Sequence, residues 1–226
     1  MAITVYTYND KVLKNVATDK WLKKKEGPNY NPYNLPAKTF RIKLGSSWAG
    51  DPSITVTQVE GDIYDITFPS DSAINSFSKS AVTGLLGANG TGLTAVPTSL
   101  ISLTGTVGNL YLPDTTSLYM FFAGSSITSI GAIYAPNVTT INEMCDYNSN
   151  LTAVPDLDVS NVTSCNNAFY GCTNVESGAL ALYNKLAALG AQITGHSNTF
   201  TGCGSNTVTG AAELAQIPTS WGGTAS

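Results

Sequence analysis

The chain of 226 residues reads as a mainly β protein: a small N-terminal β module, then a capped solenoid of repeats with a helix near its C-terminal end. Three observations predict this class. Only 12% of residues are charged while Gly, Ser, Thr and Asn abound, which suits short strands joined by turns rather than a helix bundle. A text of 24 residues recurs between 127 and 174. From 175 to 190 the apolar residues switch to helical spacing.

Three regions follow in order: a basic anchoring arm with a Pro-rich linker (1–38), a small β domain (39–92), and a repeat region with a C-terminal cap (93–226). In residues 1–16, Ile3, Val5 and Thr7 alternate with Thr4, Tyr6 and Tyr8; Asn9-Asp10 makes a turn and Lys11–Lys14 returns, which predicts a hairpin. "EGPNYNPYNLPAK" (26–38) carries three prolines and predicts an extended linker. "TFRIKL" alternates, and "ITVTQV" meets "DIYDITF" across Glu60-Gly61, a hairpin signal; Pro69 ends that strand. A short helical stretch is expected around Ala73–Phe77, before the glycine-rich "GLLGANGTG".

The repeat carries the argument. "ITSIGAIYAPNVTTINEMCDYNSN" (127–150) and "LTAVPDLDVSNVTSCNNAFYGCTN" (151–174) each hold 24 residues. Laid together, Ile130 meets Val154, Ile133 meets Leu157, Val138 meets Val162 and Ile141 meets Cys165. A weaker copy at 104–126 aligns Val107, Leu110 and Leu118 with Ile130, Ile133 and Ile141, and "LTAVP" at 93–97 suggests a degenerate earlier copy. Apolar residues returning at such intervals bury themselves only when successive units stack. The recurring Asn-Val-Thr triplets (137–139 and 161–163) are read as corners whose side chains bond the turning backbone, rather than as glycan acceptors. "VESGALALYNKLAALG" predicts a helix ending at Gly190, "NTFTGCGSN" (198–206) echoes "NAFYGCTN" as a terminal coil, and a short "GAAELAQIP" helix follows.

Cys145, Cys165, Cys172 and Cys203 form no CxxC pair, and His196 is the sole histidine. That disfavours a zinc site, a disulfide framework and a cysteine nucleophile, so the thiols read as small buried hydrophobes. Asp156 and Asp158 share a strand face, but their aligned partners are Ala132 and Tyr134. They read as solvated or corner-bonding groups, and no catalytic residue, metal or cofactor is assigned.

With these residues laid out, the repeat resembles the BspA-like leucine-rich repeat, whose text runs close to Leu-Thr-x-Ile-Pro-x-Leu-Asp-x-Ser-Asn-Val-Thr-x-Met-x-x-Met-Phe-x-x-Cys. Leu151, Pro155, Leu157, Asp158, Ser160, Asn161, Val162, Thr163, Phe169 and Cys172 fit; Cys165 and Ala168 stand where the pattern prefers methionine. The 127–150 copy departs further, with Cys145-Asp146-Tyr147-Asn148 at its end, which points to a specialised outer face. The closing text is similar to caps of repeat proteins from gut phages and bacteria, and the opening to the N-terminal module of the phage-associated ones.

The resemblance implies a non-enzymatic binding protein on a virion surface, a capsid- or tail-attached fibre or decoration, made in the host cytoplasm. The alternative is a leucine-rich-repeat adhesin on the bacterial cell surface. The opening residues lack a secretory leader pattern, which on this reading favours the phage version. No stretch is long and apolar enough for a membrane span.

Nine of the eleven Lys and Arg lie in residues 1–43 against three acids, which gives about +6 there; the remainder, two basic residues against twelve acidic, carries about −10. A docking arm is therefore expected at Tyr6, Tyr8, Lys11, Lys14, Trp21, Lys23, Lys24 and Lys25. Its mixture of lysine with β-forming and aromatic residues favours another virion protein over nucleic acid as its partner. The repeats would meet a host protein or glycan, and a homo-oligomer is expected, for which a trimer fits. Two columns are candidates for ligand contact: Tyr111, Tyr134 and Asp158, and Tyr119, Asn142 and Asn166. Aromatic faces beside amides and carboxylates suit a sugar. The plainer reading is an ordinary exposed β surface.

Overall fold

The computed structural model describes residues 7–8, 11–12, 35–45, 52–75, 77 and 79–225. At the N-terminus β1 (Thr7–Tyr8) pairs antiparallel with β2 (Lys11–Val12), in the register of the expected hairpin. The rest of 1–34, including the linker up to Asn34, lies outside the described residues.

From Leu35 onward the protein is mainly β, with two helices near the C-terminal end. β3 (Thr39–Leu44) alternates: Phe40, Ile42 and Leu44 are buried, while Arg41 and Lys43 are half-buried on the other face. It lies between β5 (Ile63–Thr67) and β6 (Val82–Asn89), antiparallel to both. β4 (Thr55–Glu60) joins β5 through the turn Gly61-Asp62 and forms the sheet's outer edge. Arg41 grips Asp65, its cross-strand neighbour, with two bonds of 2.6 and 2.7 Å. Under the sheet, Phe68 meets Phe40 and Phe77 edge-on, both at 5.4 Å, beside the short α1 (Asp71–Asn75).

The glycine-rich stretch contains a strand that the alternation rule does not reveal. β6 is buried along most of its length, so it lacks a polar face. It also joins two pairing modes: antiparallel to β3, and parallel to β8 (Leu110–Tyr111), which pairs parallel with β10 (Ile133–Tyr134). The six-stranded order is thus β10-β8-β6-β3-β5-β4, and the sheet runs through the boundary expected at 92/93. Gly108 permits the close approach, since a Cβ there would stand 1.9 Å from the Leu86 carbonyl oxygen. A second parallel pair, β7 (Thr104–Val107) with β9 (Ser126–Ile130), lies alongside.

Beyond β10, parallel contact continues without long strands. Thr140 bridges Ser117 and Ser164, 23 and 24 residues away, and Ser164 bridges Gly195. Backbone amides carry the ladder through the turns: Phe122 donates to Met144, Cys145 to Ala168, and Phe169 to Thr199. The apolar side chains beneath, among them Leu118, Ile141, Cys165, Phe169 and Phe200, belong to one core continuous with Phe40 and Ile66. α2 (Ala179–Ala187) and α3 (Val208–Leu214) pack together at the far end. The Glu213 carboxylate accepts from the amides of Gly178 and Leu180 at 3.2 and 3.0 Å, so one helix satisfies the first turn of the other. Trp221 stacks on His196 at 4.3 Å and meets Tyr183 edge-on at 5.4 Å.

Candidate functional site

The side chains on the outside of the parallel ladder divide into those bound to neighbouring segments and those facing solvent. The Asn-Val-Thr corners belong to the first group. Asn137 and Asn161 donate their side-chain amides to the carbonyls of Pro113 and Pro136, each at 2.8 Å. Thr116, Thr139, Thr163 and Thr194 each donate a hydroxyl to the preceding threonine carbonyl in the series that begins at Thr94. Short polar residues recur there because each turn leaves carbonyls that only a neighbouring segment can satisfy.

The first candidate column comes together in space. Tyr111 and Tyr134 stack with centroids 5.1 Å apart and planes 11° off parallel, both half-buried. Burial, then the neighbouring Tyr134, raises the Tyr111 phenol above its ordinary pKa. Leu157 bridges Ile133, which places Asp158 next in line. Its Oδ1, however, accepts from the Ser160 amide and hydroxyl at 3.0 and 2.6 Å, a turn-closing arrangement. Asp156 pairs instead with Lys185 on α2.

The second column divides. Tyr119 is exposed. Asn142 Oδ1 accepts from the Asn166 amide at 2.7 Å and the Ser164 hydroxyl at 2.8 Å, and Asn166 Oδ1 accepts from the Ser197 amide at 2.8 Å. Both oxygens therefore hold one segment to the next.

Of the expected arm, Tyr6, Lys14, Trp21, Lys23, Lys24 and Lys25 lie outside the described residues, and Tyr8 and Lys11 are described only as strand positions.

The four thiols are buried and free. Burial raises all of them: Cys165 to about 11, Cys172 to about 12, and Cys145 and Cys203 well above the ordinary value. Cys172 donates to the Cys145 carbonyl at 3.0 Å. Neutral thiols locked in a core make poor nucleophiles. His196 is held between Trp221 and the Ser220 carbonyl. Among the described residues no group of three or more His, Cys, Asp or Glu is arranged to hold a metal, and no helix is long and apolar enough to cross a membrane.

One turn absent from both expected columns stands out: Cys145-Asp146-Tyr147-Asn148, beside Tyr170. Tyr147 and Tyr170 meet edge-on at 5.1 Å and 70°. Asp146 Oδ1 and both amide atoms of Asn148 are buried without a hydrogen-bond partner. The signal in the sequence is the break in the Phe-x-x-Cys ending, which marks the turn without naming its chemistry.

Compared with known proteins, the chain matches no family model, no curated protein and no solved structure.

Proposed function

We propose that the protein is a capped, BspA-like leucine-rich-repeat solenoid that serves as a non-enzymatic display module on a phage particle. The N-terminal arm would anchor it to another virion protein, and the repeats would present a surface to a host protein or glycan. The solenoid reading is supported by register. Val107 pairs with Ile130 and Leu110 with Ile133, as the alignment of 104–126 with 127–150 requires. The helix pair and Trp221 cover the far end, which a stack of repeats needs in order to stay soluble.

The observation that carries the binding reading is the Tyr111–Tyr134 stack, a half-buried aromatic step on the outside of the ladder. Such a step offers apolar area to a sugar face or a host side chain with little entropy to lose. A bacterial cell-surface adhesin with the same solenoid is the second reading, and the particle experiment separates the two.

That experiment compares the full chain with one beginning at Leu35, each incubated with purified phage particles and with candidate host cells. The cut belongs at 35 because Leu35 is buried, its carbonyl accepts from Asn89 at 2.7 Å, and β3 is an inner strand of the sheet. Particle binding by the full chain alone, with cell binding by both, supports an anchoring arm and a reading solenoid. Cell binding by both without particle binding moves the assignment to an adhesin. Circular dichroism of the shorter chain checks that it is folded.

A further inference from the structure

The six-stranded sheet ends differently on its two sides. Beyond β10 the parallel ladder runs on through Leu157, and α2 reaches it through Lys185, which donates to the Leu157 carbonyl at 3.4 Å. On the opposite side the sheet stops at β4, with no further strand among the described residues; β1 and β2 pair only with each other. Thr55, Thr57, Gln58, Val59 and Glu60 are all exposed, so β4 is uncovered on both faces as well as along its edge. Natural edge strands are ordinarily blunted by lysine, proline, a bulge or a covering segment. β4 reads TVTQVE, with neither lysine nor proline, and its one charge stands at the end. Its bulge also lies at that end, between Gln58 and Glu60, which leaves Thr55 to Gln58 in regular register.

The main-chain groups that this edge offers follow from the neighbouring strands. The Asp62 carbonyl accepts from the Leu44 amide at 2.9 Å, and the Phe68 amide donates to the Lys38 carbonyl at 3.0 Å. Even-numbered residues of this stretch therefore point their main-chain groups toward β3, and Ile63, Asp65 and Thr67 point theirs toward β4. Thr67 and Asp65 face Thr55 and Thr57, so those two threonines direct their amides and carbonyls inward. Val56 and Gln58 consequently direct theirs outward, as a short row of donors and acceptors ready for another strand.

We propose that β4 is the contact between two copies of this chain, paired antiparallel about a two-fold axis through Thr57. In that register Val56 of each copy exchanges both main-chain bonds with the partner's Gln58, and Thr57 faces the partner's Thr57. The side chains suit a second copy. Threonine opposite threonine is a favourable cross-strand pair, whereas like charges directly opposite are not. The Glu60 carboxylates fall at opposite ends, about 20 Å apart. Asp65, the neighbour of Thr57 across the ladder, is already held by Arg41. On the other face Val56 and Tyr64, both packed against the core, extend it toward the partner. A basic foreign strand would call instead for acids along β4, and Glu60 is its only one. Such an interface is isologous and closes at two copies. It stands whether or not the repeats bind a host ligand.

The test is sedimentation equilibrium of the full-length protein, joined to a register-specific crosslink. A small edge contact predicts a reversible dimer dissociating at about 100 µM. Thr57→Lys sets two like charges face to face while its side chain stays in solvent, so it should remain folded by circular dichroism and weaken the dimer at least tenfold. Mixing Thr57→Lys with Thr57→Glu should restore pairing between the two variants. Thr57→Cys places thiols at a non-hydrogen-bonded pair, about 4.5 Å between Cα atoms, and should form a covalent dimer under mild oxidation. Thr55→Cys, whose thiols would stand about 13 Å apart, should not. The native cysteines are buried and do not compete. A monomer at about 1 mM, a closed trimer, a dimer undisturbed by folded Thr57→Lys, or crosslinking of Thr55→Cys as fast as Thr57→Cys would each overturn the assignment.

Discussion

Tyr147 Cδ1 lies 3.1 Å from where a Cβ on Gly171 would stand, so the tyrosine of one turn crowds any side chain at that position of the next. Gly171→Ala therefore meets two obstacles, the φ of 69 and the ring. It should lower stability by about 1–3 kcal/mol in urea unfolding, with an unchanged denaturant slope. In a Tyr147→Gly background the steric part disappears and only the conformational cost, about 1 kcal/mol, should remain. Equal costs in the two backgrounds would show that the ring exerts no constraint.

The acid beside that tyrosine gives a pH prediction. Burial, then Glu143, raises the Asp146 carboxyl above its ordinary value. A raised acid binds its proton more tightly folded than unfolded, so its contribution is intact below the unfolded pKa and declines as pH rises through the folded one. Asp146→Asn should accordingly raise the melting temperature at pH 7 relative to wild type. The advantage should shrink as the pH is taken below about 4.

The thiols extend the same sign to alkaline pH. Cys165 and Cys172 ionise at about 11 and about 12 in the folded protein, against an ordinary value of 9.0. Stability should fall as pH rises above about 9, with a slope approaching about 1.4 kcal/mol per pH unit for each buried thiol. Guanidinium titrations at pH 8 and pH 10 measure it. Replacing Cys165 by Ala should flatten the slope, and iodoacetamide at pH 8 should label the thiols only after unfolding.

The pairing of α2 with α3 rests on the Glu213 carboxylate, which receives two backbone amides from the start of α2. Glu213→Ala leaves those donors without their carboxylate and should cost about 1–3 kcal/mol. Trp221→Ala removes the platform under His196 and Tyr183 and should cost about 3–5 kcal/mol. Hydrogen exchange should locate both losses at 178–225 before the sheet responds.

The Tyr111–Tyr134 step can be tested without opening a hole. Tyr111→Leu with Tyr134→Leu keeps most of the apolar bulk, so stability should drop by no more than about 1.5 kcal/mol. Binding to host cells should weaken at least tenfold. Undiminished binding by the double variant would remove this surface from the proposal.

The sequence by itself determined elements whose pattern is local. The alternation in "TFRIKL", the hairpin turn expected at Glu60-Gly61 and found one residue on at Gly61-Asp62, and the helical spacing after Val175 each depend on neighbours within a few residues, and each yields its element. The asparagines of the two Asn-Val-Thr corners were also legible, because a carbonyl left open by a turn calls for a short polar side chain. Tertiary structure alone decided what depends on residues 20 or more positions away. β6 exists because β3 and β8 lie on either side of it, despite two glycines and no alternation. Asn142 and Asn166, legible only as polar residues in a column, are held by the next segment's amides. The Asp146–Asn148 turn acquires buried, unpartnered oxygens only when its neighbours pack against it. Side-chain type is written in the sequence, but which polar atoms remain unsatisfied is fixed by the contacts that remove them from water.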